Sequence, residues 1–208
     1  MKSIMITADD YGLSQQTNFE ITRLALGKKV DNISLLVNTK NSFEAVNLYK
    51  KNRLGNLGLH FNLIEGRPLS DCKLIPSLVN REGEFYPLPI FIIRLFFKKL
   101  DLAEVETELK NQLAFFQKHG LKCHHLDSHQ NTHFFSPIKK IVYKEAKKAN
   151  IEFVRQSLVI ENRLRKFPLK LFLYKIAVWL FDLKFRGVQL FQSAIYETSV
   201  CHPGTNYD

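Results

Sequence analysis

Ser3-Ile4-Met5-Ile6-Thr7-Ala8-Asp9-Asp10-Tyr11-Gly12-Leu13-Ser14 opens the chain with an apolar run that stops at two adjacent aspartates and a glycine. From Ser14 to Lys28 the pattern turns helical, with Phe19, Ile21, Leu24 and Leu26 apolar and Gly27 near the end. A short apolar run broken by turn residues and followed by a helical period predicts a buried strand, Ser3–Ala8, feeding a helix. The same rhythm recurs outward from that unit. Strands are predicted at Asn32–Val37, Leu57–Leu63, Cys123–Ser128, Glu152–Gln156 and Tyr196–Cys201. Helices are predicted at Ser42–Lys51, Leu102–His119, Pro137–Ala149 and Leu169–Phe185. Such alternation predicts an α/β fold with a mainly parallel sheet.

The composition fits one soluble domain. The 208 residues are 45% hydrophobic and 24% charged and include 17 Phe, which excludes a disordered, collagenous or coiled-coil chain. Cys72, Cys123 and Cys201 are odd in number and widely spaced, as expected of reduced thiols in the cytoplasm rather than of a disulfide framework. Asp9 and Asp10 arrive too early for a secretory signal, and Lys170, Lys175, Asp182 and Lys184 interrupt the apolar Phe167–Phe185 stretch, so no membrane span is expected. The formal charge of +10 is scattered over helical stretches such as Lys139-Lys140 and Lys147-Lys148. That distribution reads as solvated helix faces, and no nucleic-acid partner is expected.

Between Ile64 and Leu100 the alternation breaks into a stretch with Pro68, Pro76, Pro87 and Pro89, a turn at Arg81-Glu82-Gly83-Glu84 and a short helix over Ile90–Lys99. Long irregular connections are usually functional, so an excursion or lid at 64–100 is expected. Functional groups in open sheets and barrels gather beyond the carboxyl ends of the strands. Asp9-Asp10, His60, Asp127-Ser128-His129 and His202 all fall at predicted strand ends. Two imidazoles and a carboxylate form a common catalytic metal set, which Asp10, His60 and His129 can supply. Each residue also has a plainer reading. Asp-Asp-Tyr-Gly-Leu-Ser suits a turn and helix cap, His60 suits a core histidine, and His129 and His133 share a face only if their segment is helical. His124 and His125 precede the strand end and read as structural or exposed. In the excursion, Phe85, Tyr86 and Phe91 read as core packing before sugar stacking.

Four blocks stand in order along the chain: Ile6–Ser14, Leu57–Leu63 with Gly66-Arg67-Pro68-Leu69, His125–His133, and Cys201-His202-Pro203-Gly204. Together they resemble the YdjC-like carbohydrate deacetylases from end to end. The resemblance implies a distorted (β/α) barrel, one divalent cation, commonly magnesium, and removal of acetyl groups from N-acetylated sugars such as chitooligosaccharides. Position by position it assigns Asp10, His60 and His129 to the metal and Asp9 to general-base catalysis. His202 falls to general-acid work, and His133 and Arg67 to substrate contact. Two imidazoles make zinc or another transition ion the more natural occupant on chemical grounds, because magnesium prefers oxygen ligands. The partners implied are an acetylated oligosaccharide and, as an option, a second copy in a homodimer.

Amide hydrolysis needs an activated water, an electrophile for the oxyanion and a proton for the leaving amine. The cation with Asp9, the cation itself, and a protonated His202 would meet these needs in turn. Because family members continue past the Cys-His-Pro-Gly block, the barrel is expected to lack its final helix and strand. Two other readings stay open at this level. One is a metal-independent glycoside hydrolase pairing Asp9 with Asp127 or Glu197. The other is an inactive relative that binds polyanions through the basic run Arg155–Lys184.

Overall fold

A computed structural model of the chain describes residues 5–158 and 190–194. Its first strand, β1 (Thr7–Tyr11), does not end before the aspartates but runs through them. It is followed by α1 (Gln15–Leu26), β2 (Asn32–Leu35), α2 (Ser42–Asn52) and β3 (Asn56–Phe61). After the excursion, which contains α3 (Leu88–Phe96), come α4 (Leu102–Lys118), β4 (His125–Ser128), a 3-10 turn (His129–Phe134), α5 (Ser136–Lys148), β5 (Phe153–Leu158) and β6 (Leu190–Ala194). The strand β6 has no counterpart in the predicted pattern. The predicted helix Leu169–Phe185 and strand Tyr196–Cys201 lie outside the described residues.

The six strands pair in the order β1-β2-β3-β4-β5-β6, and every pair is parallel. The α/β class with a parallel sheet therefore stands. The barrel is not closed among the described residues: closure needs a strand on the free edge of β1, and β6 pairs with β5 alone. The parallel register sorts side chains cleanly, because paired residues share a face and successive residues alternate. Ile33, Leu35, Leu57, Leu59, Phe61, Leu126 and Val154 form one buried apolar face. The other face carries Ser34 opposite Gly58 and His60 opposite Asp127, with His125 alongside. One face packs the core; the other carries the histidines and the buried carboxylate, with Phe153 of β5 opposite His125.

Helix α1 covers the apolar face with fewer of its large side chains than its period suggests. In α1 the buried residues are Asn18, Ile21 and Thr22, while Phe19, Leu24 and Leu26 face outward. Ser14 caps that helix, accepting the Thr17 amide at 3.1 Å. The excursion is packed down rather than splayed: Ile75, Leu78, Phe85 and Phe91 join the core, and Val79 bridges Phe85. Phe85 and Phe91 are thus core residues, and Tyr86 lies beneath the Arg94 guanidinium at 4.3 Å. No helix among the described residues is long and apolar enough to cross a membrane.

On the polar face the His125 imidazole lies directly over Gly58. A Cβ added at residue 58 would stand 2.4 Å from the His125 ring. The ring cannot swing away freely, because its Nε2 is 2.9 Å from the buried Ser34 hydroxyl. Gly58→Ala is therefore expected to cost about 1–3 kcal/mol through overpacking. Urea unfolding of Gly58→Ala, His125→Ala and the double variant checks this. The double variant should be less destabilised than the sum of the singles by about 1 kcal/mol or more.

Candidate functional site

The two aspartates reach the same side of the sheet because β1 carries a bulge. Ala8 pairs with Ile33 and Tyr11 with Leu35, so Asp9 and Asp10 together oppose Ser34. Two residues facing one is the geometry of a β-bulge, and it cancels the alternation that would send neighbouring side chains to opposite faces. Asp10 stands at φ 66°, a conformation that is uncommon outside glycine and that persists only where the surroundings over-determine it. The strand then closes tightly. Tyr11 is fully buried, with its hydroxyl 3.0 Å from that of Thr22, and Gly12 at φ 99° passes so near the Leu36 carbonyl that a Cβ there would lie 2.6 Å away.

Asp127, at 0% exposure, is the charge at the centre of the polar face. Its Oδ1 is 2.6 Å from His60 Nδ1, and its Oδ2 accepts from Ser34 Oγ at 2.7 Å and lies 2.7 Å from an Arg155 amino group. Burial would push the Asp127 carboxyl up, but Arg155 and His60 outweigh it and hold it well below the usual carboxylate range. Arg155 also holds Asp9 in a two-pronged pair at 2.6 Å and 2.6 Å, sharing the amino group that contacts Asp127. Burial likewise disfavours the charged form of His60, yet Asp127 and Asp10 raise it above the ordinary imidazole range.

The far nitrogen of His60 faces Asp10 Oδ1 at 3.2 Å, and the same oxygen is 2.8 Å from His129 Nδ1. One ligand atom from each of Asp10, His60 and His129 thus lies within 4.8 Å of the others. Asp9, His60 and Asp127 also converge within that distance, but the Arg155 guanidinium already neutralises both carboxylates there. The first set is the one whose chemistry fits a divalent cation: a carboxylate with two imidazoles, one of them backed by Asp127 in the manner of outer ligands that orient a metal-binding histidine.

The segment after β4 is not a regular helix. Gln130 and Asn131 take left-handed conformations, so His129 and His133 do not share a helical face. His129 turns to Asp10 and, at 2.9 Å through Nε2, to Glu65, while His133 is buried with Nδ1 on Ser128 Oγ and Nε2 2.9 Å from the Arg155 carbonyl. Arg67 is exposed, its side chain donating to the Glu82 carbonyl at 3.3 Å and its own carbonyl accepting from Asn38 Nδ2 at 2.8 Å. His202 lies outside the described residues. Arg155, which the sequence places in a basic run, is instead turned inward between two aspartates; an arginine inside the apolar Phe153-Val154 strand is the signal for that. Glu65, five residues beyond His60 in a Gly-Pro loop, carried no distinguishing pattern.

The chain is similar to several known proteins. The profile of the YdjC-like protein family matches residues 3–206. A carbohydrate deacetylase of Danio rerio is 31% identical over 163 residues, covering 78% of this chain and 51% of the relative. One from Oceanobacillus iheyensis is 32% identical over 151 residues, covering 71% of this chain and 62% of the relative. A crystal structure of an Enterococcus faecalis protein, described as a candidate for cellobiose-phosphate cleavage, superposes with a TM-score of 0.68 at 26% identity, covering 85% of this chain and 65% of that one. The chain therefore spans about half to two thirds of the length of the relatives it matches.

Burial pulls the His125 and His133 imidazoles down to about 4, with Asp127 at His125, and the Arg155 carbonyl and Asp127 at His133, opposing too weakly to reverse it. Both are neutral when folded and become protonated on unfolding below about 6.5. The contribution of these two rings to stability is thus expected to be full above that value and to fall as the pH drops from about 6.5 to about 4, with a slope approaching two protons. Urea midpoints measured across this range check it, and His133→Gln should remove about half of the slope.

Proposed function

This chain belongs to the YdjC-like family, and from that premise we propose that it is a metal-dependent hydrolase that removes acetyl groups from N-acetylated carbohydrates of the chitooligosaccharide kind. The observation that carries the proposal is the meeting of Asp10, His60 and His129 on one face of the sheet, with Asp9 beside them in the grip of Arg155. Relatives named carbohydrate deacetylase support the substrate class.

Asp10, His60 and His129 would hold the divalent cation, and a set with two imidazoles favours zinc or a similar transition ion over magnesium. Such a cation supplies Lewis-acid polarisation of the amide carbonyl and makes water acidic near neutral pH. Asp9 then serves as general base. The bidentate contact with Arg155 fixes the direction of its carboxylate, which is what proton abstraction at a single position requires. Asp127 does not touch the substrate side; it orients His60 and anchors Arg155. Proton delivery to the leaving amine falls to His202, on the resemblance of the Cys-His-Pro-Gly block alone. Arg67, exposed on the loop after β3, suits contact with the sugar. His133, with both ring nitrogens engaged, supports the substrate side through the Arg155 main chain. The same proposal includes a cytoplasmic location, a homodimer and a lid at 64–100.

Asp127 is enclosed and neutralised by Arg155, which disfavours its use with Asp9 as a glycosidase pair. The inward turn of Arg155 likewise removes the first cation from the basic run Arg155–Lys184.

The test is acetate release from an N-acetylated chitooligosaccharide. We expect Asp9→Asn to lower the rate by about 10²–10⁴-fold, chelation to abolish it and zinc to restore it. Acetate release that persists in chelator and in Asp9→Asn would overturn the proposal, as would cleavage of the glycosidic bond in its place.

A further inference from the structure

We infer that Glu65 is the carboxylate that sets the orientation of His129: it accepts the Nε2 N–H and so turns the Nδ1 lone pair toward Asp10 and His60. This rests on the reading of Asp10, His60 and His129 as the cation-binding set. An imidazole that binds a cation through one nitrogen carries its proton on the other, and whatever accepts that proton decides which nitrogen is which. His60 has its acceptor in Asp127, 2.6 Å from Nδ1, leaving Nε2 to face Asp10. For His129 the only partner recorded opposite Asp10 among the described residues is Glu65 Oε2, at 2.9 Å from Nε2. The two imidazoles are thus arranged alike, each between Asp10 and a carboxylate behind it.

Glu65 is exposed, and an exposed carboxylate on a free loop would hold an imidazole only weakly. Its backbone, however, is pinned. The Glu65 amide donates to Asn62 Oδ1 at 3.2 Å, and its carbonyl accepts from Asn62 Nδ2 at 2.9 Å and Asn38 Nδ2 at 3.3 Å. Asn62 is itself held by the fully buried Gln112 of α4, which accepts its amide at 3.1 Å and donates to its carbonyl at 2.7 Å. Glu108, one helical turn before Gln112 and equally buried, accepts from Gln112 at 2.7 Å and takes the amides of Leu69 and Ser70 at 3.0 and 2.9 Å. The loop is therefore gripped at both ends by two polar side chains of α4. Polar groups buried between a helix and a sheet are tolerated when every one of them is satisfied, and here their partners are the backbone that presents Glu65. Glu65 is a positioning residue: it acts on the cation through His129.

Cobalt(II) titration of the 208-residue chain, followed by its visible absorption and by calorimetry, tests this. We expect Glu65→Ala to weaken cobalt binding by about 10–100-fold and to alter the cobalt spectrum while leaving the urea midpoint unmoved. Glu65→Gln, whose amide oxygen can still accept the N–H, should recover most of the affinity, and His129→Ala should lose it. If the parent binds cobalt, His129→Ala does not, and Glu65→Ala binds as the parent does, this inference fails while the reading of the site stands. If the parent takes up no cobalt, the reading fails and the inference with it.

Discussion

A carboxylate cut off from solvent is costly unless its charge is met on the spot, and Asp127 meets that condition with His60, Arg155 and Ser34. Each of those contacts fixes something else. The bond to His60 sets the ring so that its other nitrogen faces Asp10. The bond to Arg155 holds a guanidinium whose two amino groups also clamp Asp9. Ser34 in turn approaches His125, whose ring fills the space that a side chain at residue 58 would take. Loss of the Asp127 charge would leave Arg155 and His60 without their common partner, so the centre and its surroundings stand or fall together.

The bulge in β1 is the second constraint. Without it Asp10 would lie on the apolar face beside Leu35, and only Asp9 would reach the polar one. The extra residue costs a ladder position and a left-handed conformation at Asp10. Its cost is met by the hydrogen bonds that Tyr11 and Gly12 make on either side of the strand end. Strain held at a point where two carboxylates must face the same side of the sheet is typical of functional sites.

The polar face draws on β1 to β5 and on the loops that follow β3 and β4, all within the stretch matched by the family profile. The sheet runs in sequence order, so these strands are neighbours or near neighbours. Their carboxyl ends lie side by side. A parallel sheet is ordinarily covered on both faces and rich in apolar residues throughout; here one face has been given over to histidines, carboxylates and an arginine that neutralise one another. That is why the excursion and the helices can crowd the apolar face while the site stays polar.

Much of this was legible along the chain. Local period and turn residues determine the alternation of strands and helices, so the α/β class, the strands at Asn32 and Leu57 and the helices after them can be read directly. Strand-end placement picks out Asp9, Asp10, His60 and His129, because residues at the ends of parallel strands share one rim. Pairing, which has no local signature, was decided only by the tertiary structure. The bulge depends on the register of β1 against β2, so the sequence shows adjacent aspartates but not that they face the same way. The inward turn of Arg155 depends on Asp9 and Asp127 across the sheet, and the conformations of Gln130 and Asn131 separate two histidines whose spacing suggests a shared face. The site's residue types belong to the sequence. Their convergence belongs to contacts between strands far apart in it, where burial makes each charge depend on a partner that no neighbouring residue supplies.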